Sequence, residues 1–154
     1  MHIQPFTDSD YQVVAAYNRR MQKIFYIIMA SQMLFFIVFA LIAPGRVPYW
    51  EYILPAIFIL DILALIFLSK KFRTAQNDVR EGLKITGNYK VASRNETESS
   101  YSITVNAEGI KSINVEKAVY DTIREGEELY FEFAKNSGYL LMMKRGNTVL
   151  FTAG

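Results

Sequence analysis

The chain contains no cysteine and a single histidine, His2, among its 154 residues. The first absence excludes disulfides, thiolate zinc sites, iron–sulfur clusters and a cysteine nucleophile. The second leaves no multi-histidine metal site and no imidazole away from the terminus for acid–base work. Charge is scarce too: 21% of residues are charged, and 17 basic against 15 acidic side chains give a net +2. That balance points to no nucleic-acid partner. Nucleophile-elbow, Walker, glycine-rich dinucleotide, HExxH and paired-carboxylate motifs are missing, so neither a cofactor nor an enzyme activity is expected.

What abounds is apolar, 51% of the chain. Ile24–Ala43 (IFYIIMASQMLFFIVFALIA) runs for twenty residues without a charge. At about 1.5 Å of rise per residue such a helix covers the roughly 30 Å hydrocarbon core of a bilayer. Its strong polar residues are Ser31 and Gln32. The polar leader before it is too long for a cleaved signal peptide, and no A-x-A site follows. Tyr52–Leu68 (YILPAIFILDILALIFL) is a second run, with one charge, Asp61. Pro44-Gly45-Arg46-Val47-Pro48 reads as a compact turn between them. Pro55 falls in the first turns of the second helix, where a missing N–H costs little.

The basic flanks orient the hairpin. Arg19, Arg20 and Lys23 precede the first run, Lys70, Lys71 and Arg73 follow the second, and the connection carries Arg46 alone. The positive-inside bias places both termini in the cytoplasm. Lys70, Lys71 and Arg73 form a flank for lipid head groups.

Neither helix is expected to stop at the lipid. Ser9-Asp10-Tyr11-Gln12 has the shape of a capping box, and Val13, Val14, Tyr17 and Met21 continue at helical spacing into the first run. Phe72, Ala75, Val79 and Leu83 do the same downstream, with Gly82 as a breaker. In an antiparallel hairpin turning near residue 47, positions summing to about 94 lie at equal depth by the common helical rise. Asp61 then lies level with position 33, beside Gln32 and Ser31. A carboxylate there costs roughly 2.5–3.5 kcal/mol on insertion scales. Two roles are open: a protonated staple of the hairpin or of an oligomer, or a proton or ion site.

From Leu83 the period falls to two. Leu83, Ile85, Gly87, Tyr89 and Val91 alternate with Lys84, Thr86, Asn88 and Lys90, as in a strand with one solvated face. RNETESS (94–100) reads as a polar loop, and Tyr101–Val105 as a strand. Ala107-Glu108-Gly109 reads as a turn into Ile110–Val115, with a bulge near Ser112. EKAVYDTIR (116–124) reads as helical turns, and Leu129–Phe133, Tyr139–Lys144 and Val149–Phe151 read as further short strands. This pattern suits a small SH3- or OB-like barrel. Its aromatics, Tyr89, Tyr101, Tyr130, Phe131, Phe133 and Tyr139, are expected to pack the core. From Leu83 onward nine basic residues balance nine acidic ones. Glu125-Gly126-Glu127-Glu128 is an acidic turn without EF-hand spacing.

DVREGLKITG (78–87), the strand YSITV, Val115…Tyr120…Ile123…Gly126-Glu127 and FEFAKNSGYLL resemble a family of uncharacterised bacterial small membrane proteins with a two-helix hairpin and a C-terminal small β domain. The layout is similar to the NfeD type, an OB-like barrel hung from membrane helices. A weaker similarity, to YcxB-like proteins, rests on the hairpin, Glu108-Gly109-Ile110 and Met143-Lys144-Arg145. The resemblance implies a bacterial inner membrane location and no catalytic residues.

The expected organisation is a membrane α+β protein. A cytosolic helix covers 1–23, a span 24–43, an external loop 44–51, a second span 52–69, a helical stalk 70–82 and a cytosolic β-barrel 83–154. The expected role is a scaffold or accessory protein whose β domain binds a protein partner or a second copy. The alternative is a small oligomeric transport or proton-linked protein using Asp61.

Overall fold

The computed structural model describes residues 2–42, 50–106 and 112–153. The expected turns at 44–48 and 107–109 therefore lie outside the described residues. In chain order the elements are β1 (His2–Pro5), α1 (Asp8–Ile42), α2 (Trp50–Glu81), β2 (Leu83–Thr97), β3 (Ser100–Val105), β4 (Ile113–Val115), α3 (Lys117–Tyr120), β5 (Glu128–Ala134), β6 (Leu140–Arg145) and β7 (Thr148–Thr152). The layout is α+β. Two compact units divide it, residues 16–77 and residues 1–15 with 78–154.

In the helical unit α1 and α2 each run without interruption through the expected spans. Over Asp8–Leu41, α1 is long and apolar enough to cross a membrane. Half-buried positions recur every three or four residues, at Phe25, Met29, Gln32 and Phe36 on α1 and at Ile57, Asp61, Leu65, Leu68 and Phe72 on α2. That spacing is the inner seam of a helix pair. Phe25 stacks on Phe72 with centroids 5.7 Å apart, and Phe36 meets Phe58 edge-on at 5.6 Å. Trp50 and Glu51 are already helical, so the expected loop does not reach 51. Pro55 consequently lies past the first four orphan N–H positions and leaves the Glu51 carbonyl without its α-helical donor.

In the β unit every ladder is antiparallel, in the order β4-β3-β2-β5-β6-β7, with β1 also on β2. The fifteen-residue β2 serves both halves of the curl. Lys84–Lys90 pair with β5, residues 91–97 pair with β3, and a register shift between Val91 and Ser93 bends the strand between them. Phe131, Phe133, Ile103, Ile123, Leu129 and Met143 fill the concave face. Among the described residues no ladder joins β7 to β4, so the sheet is a curled half-barrel with β4 and β7 at the ends of the strand order.

Three expectations need correction. Residues 2–5, assigned to a cytosolic helix, are a strand on Leu83–Thr86; four residues are too few to show a period, and their partner lies far along the chain. The solvated face expected for β2 is covered at its start, leaving Lys84 6% and Thr86 2% exposed, and open at Asn88 and Lys90. The polar loop at 94–100 is mostly ladder, with a turn at Glu98-Ser99 alone, because backbone pairing needs no apolar alternation on a wet edge. The expected stalk is helical as far as Glu81. From Asp78 the end of α2 belongs to the β unit, where Val79 packs in one cluster with Val14, Ala134 and Leu141. Gly82 ends the helix at φ +62°, its N–H donating to the Asp78 carbonyl at 2.9 Å.

Candidate functional site

The helical seam brings two of the three intramembrane candidates together. Gln32 Nε2 donates to Asp61 Oδ1 at 3.2 Å, both side chains half-buried. Ser31 does not join them; it is exposed, and its hydroxyl donates to the Ile28 carbonyl at 2.8 Å. The aromatic contacts Phe36–Phe58 and Phe25–Phe72 lie on either side of this polar pair along the seam. The pair ties the two helices in one register.

Lys70, Lys71 and Arg73 are all exposed. None forms an ion pair among the described residues. The Lys71 ammonium stands 5.2 Å from the centroid of Phe67. Ile62, Leu65, Ile66 and Ser69 of α2 join Phe25 and Met29 of α1 around an apolar groove of about 300 Å³.

The β unit holds a charged cluster that the sequence reading missed. Lys84 Nζ lies 2.7 Å from Asp10 Oδ2 and 2.5 Å from Glu132 Oε2, all three side chains at most 12% exposed. Tyr130 Oη donates to Glu132 Oε1 at 3.1 Å. Burial opposes the Lys84 charge, but the two carboxylates outweigh it and raise its pKa. Burial likewise pushes Asp10 upward, while Lys84 and Thr7 outweigh it and hold the carboxyl below its ordinary range. Burial, with Glu132 alongside, raises Tyr130. The Lys84 ammonium stands between the two carboxylates. It is a clasp that fastens the start of α1 to β2 and β5.

Asp10 also caps the helix. It accepts the Thr7 N–H at 2.9 Å, and its own N–H donates to Thr7 Oγ1 at 3.3 Å. The capping box is therefore Thr7–Asp10 and not Ser9–Gln12. The T-x-x-D pattern was the available signal; the partner Lys84 had none.

A second buried acid closes the other end. Asp78 is fully buried and accepts the backbone N–H groups of Asn136 at 2.6 Å and Ser137 at 2.8 Å. It fixes the turn between β5 and β6 against the last turn of α2.

In the acidic turn Glu125 and Glu127 are engaged by protein. Glu127 pairs with Arg145, and Glu125 accepts the Arg94 N–H at 2.9 Å. Among the described residues no group of acidic or histidine side chains is placed to hold a metal ion. Phe131 and Phe133 stack on one another inside the core at 5.5 Å and are fully buried, so neither presents a face for a base. Tyr101 packs on Tyr120 at 5.2 Å, and Tyr120 carries the Arg94 guanidinium at 4.1 Å.

Comparison with protein families, with curated proteins and with solved structures finds no match to this chain.

Proposed function

We propose that the chain is a multi-pass protein of a bacterial inner membrane, anchored by α1 and α2 with both termini cytoplasmic, that presents its β unit to a protein partner as a scaffold or accessory subunit. The observation that carries the membrane reading is the apolar surface left open on the helices. Ile27, Leu34, Leu41, Leu60, Ile66 and Phe67 are 61–79% exposed, a surface that water would not tolerate and lipid would cover. The basic residues at 19–23 and 70–73 support the orientation. The absence of cysteine makes the test clean. Single cysteines at Gly45 and Asn147, challenged with an impermeant maleimide on intact cells, should label at 45 and stay protected at 147. Labelling at 147 with protection at 45 would invert the reading.

The interaction role is supported by β4 and β7 at the ends of the strand order, where a further strand can add. Val149 on β7 is 51% exposed. A photo-crosslinker at position 149, used in the native membrane, should capture a discrete protein partner or a second copy; capture of neither would remove this role. The finer assignment, a small SH3- or OB-like barrel on an NfeD-type layout, rests on the curl of the ladder and on the turn motifs. The alternative reading, a proton-linked site at Asp61, draws on the same hydrogen bond to Gln32 that favours a staple.

A further inference from the structure

Residues 62, 66, 69 and 73 recur at three- and four-residue steps and therefore share one face of α2. The first three line the apolar groove with Leu65, Phe25 and Met29. The Ser69 hydroxyl donates to the Ile66 carbonyl at 2.8 Å, which keeps its one donor within the helix. Lys70 stands one turn beyond Ile66, and Arg73 one turn beyond Ser69. Long side chains on a helix lean toward its N-terminus, so each covers the turn before its own Cα. By that rule the two cations are directed toward the end of the groove. Neither has an ion-pair partner among the described residues. Lys71 is placed differently, over the ring of Phe67.

An apolar trough with two exposed cations one helical turn beyond Ile66 and Ser69 is complementary to an amphiphile with a negative head. From Ile62 to Ser69 the trough runs about 10 Å along the helix axis, roughly a third of the hydrocarbon thickness. We propose that it binds one acyl chain of an anionic phospholipid, whose phosphate is taken by Arg73 and Lys70. Arginine suits phosphate because its planar fork donates two parallel hydrogen bonds. A choline head would bring a like charge against the same two cations. This inference rests on the membrane reading above, and it goes beyond a diffuse basic flank by naming a groove, a register and a lipid class.

The test uses the full chain purified from membranes, with retention of phosphatidylglycerol and phosphatidylcholine read by native mass spectrometry. Phosphatidylglycerol should be retained at least about fivefold better, on the scale of a single basic contact. The double variant Lys70→Gln with Arg73→Gln should bring the two lipids to parity, and Ser69→Phe should lower phosphatidylglycerol retention with both cations intact. Lys71→Gln should change little. Equal losses for Lys71→Gln and Arg73→Gln, or an unaffected Ser69→Phe, would return the flank to diffuse attraction and overturn the site. Extraction of the wild-type chain from membranes by alkaline carbonate would overturn the membrane reading as well. Carbonate resistance without lipid preference would remove the groove site alone.

Discussion

Lys84 Nζ lies 2.7 Å from Asp10 Oδ2, across 74 residues of chain. One carboxylate thereby caps α1, through Thr7, and clasps it to the sheet. Glu132 completes a cluster of two acids on one ammonium that is almost closed to water. Replacing Lys84 by Met should be costly, because it strands two carboxylates in a buried site. Loss of one partner of a buried pair costs about 3–5 kcal/mol. Denaturant unfolding of Lys84→Met should show that loss, and adding Asp10→Asn and Glu132→Gln should restore much of it. A single variant as stable as the wild type would mean that the clasp is not load-sharing with the apolar contacts of Val14 and Phe6.

The same cluster sets a pH window. The Asp10 carboxyl is held below its ordinary value, so its contribution is present above the unfolded pKa of about 3.9 and fades as pH falls through the lower folded value. Lys84 is raised, so its contribution is complete below about 10.4 and is lost as pH climbs through the folded value. Glu127, lowered by the Arg145 guanidinium beside it, adds to the acid limb. Thermal melts should form a plateau between these limits and fall on both sides. Asp10→Asn should flatten the acid limb in part while lowering the plateau.

Asp78 predicts a local loss. Its two oxygens take the N–H groups of Asn136 and Ser137, and Asp78→Ala would bury both donors without an acceptor, at about 1–3 kcal/mol for each stranded group. Amide exchange at Asn136 and Ser137 should accelerate in that variant. Asp78→Asn keeps one carbonyl oxygen and should protect one of the two amides. Unchanged exchange at both would show that the turn holds its shape without the carboxylate.

What could be read from the chain, and what could not, follows the range of each physical signal. The long helices announce themselves because hydrophobicity and helical rise are local. The equal-depth rule put Asp61 level with position 33 using rise alone, and the structure places its carboxylate on Gln32. Strands from Tyr101 onward show in the two-residue period. The β1–β2 ladder, the Lys84 clasp and the Asp78 turn all depend on pairing between distant segments, for which no local signal exists. Lys84 is the sharpest case. Alternation marks it as outward-facing, which it is, but that face is covered by residues from the opposite end of the chain. The polar run at 94–97 failed for the converse reason, since it pairs through its backbone with a strand that supplies the apolar side chains.

Asp61 separates the staple from the proton-linked alternative. Asp61→Asn keeps an oxygen for the Gln32 amide and removes the titrating proton. A staple should survive it, with helix association changed by a few tenths of a kcal/mol. Asp61→Leu should weaken association by about 0.6 kcal/mol and by no more than about 1.7, the range measured for hydrogen bonds between membrane helices. Steric trapping or reversible unfolding in bicelles reads that difference directly. The reciprocal variant Gln32→Leu should cost a similar amount, and Gln32→Leu with Asp61→Leu should cost less than the sum, since the two side chains share one bond. Additive losses would show that Asp61 has a partner other than Gln32. Intact association together with loss of function in Asp61→Asn would shift the balance to the proton-linked role.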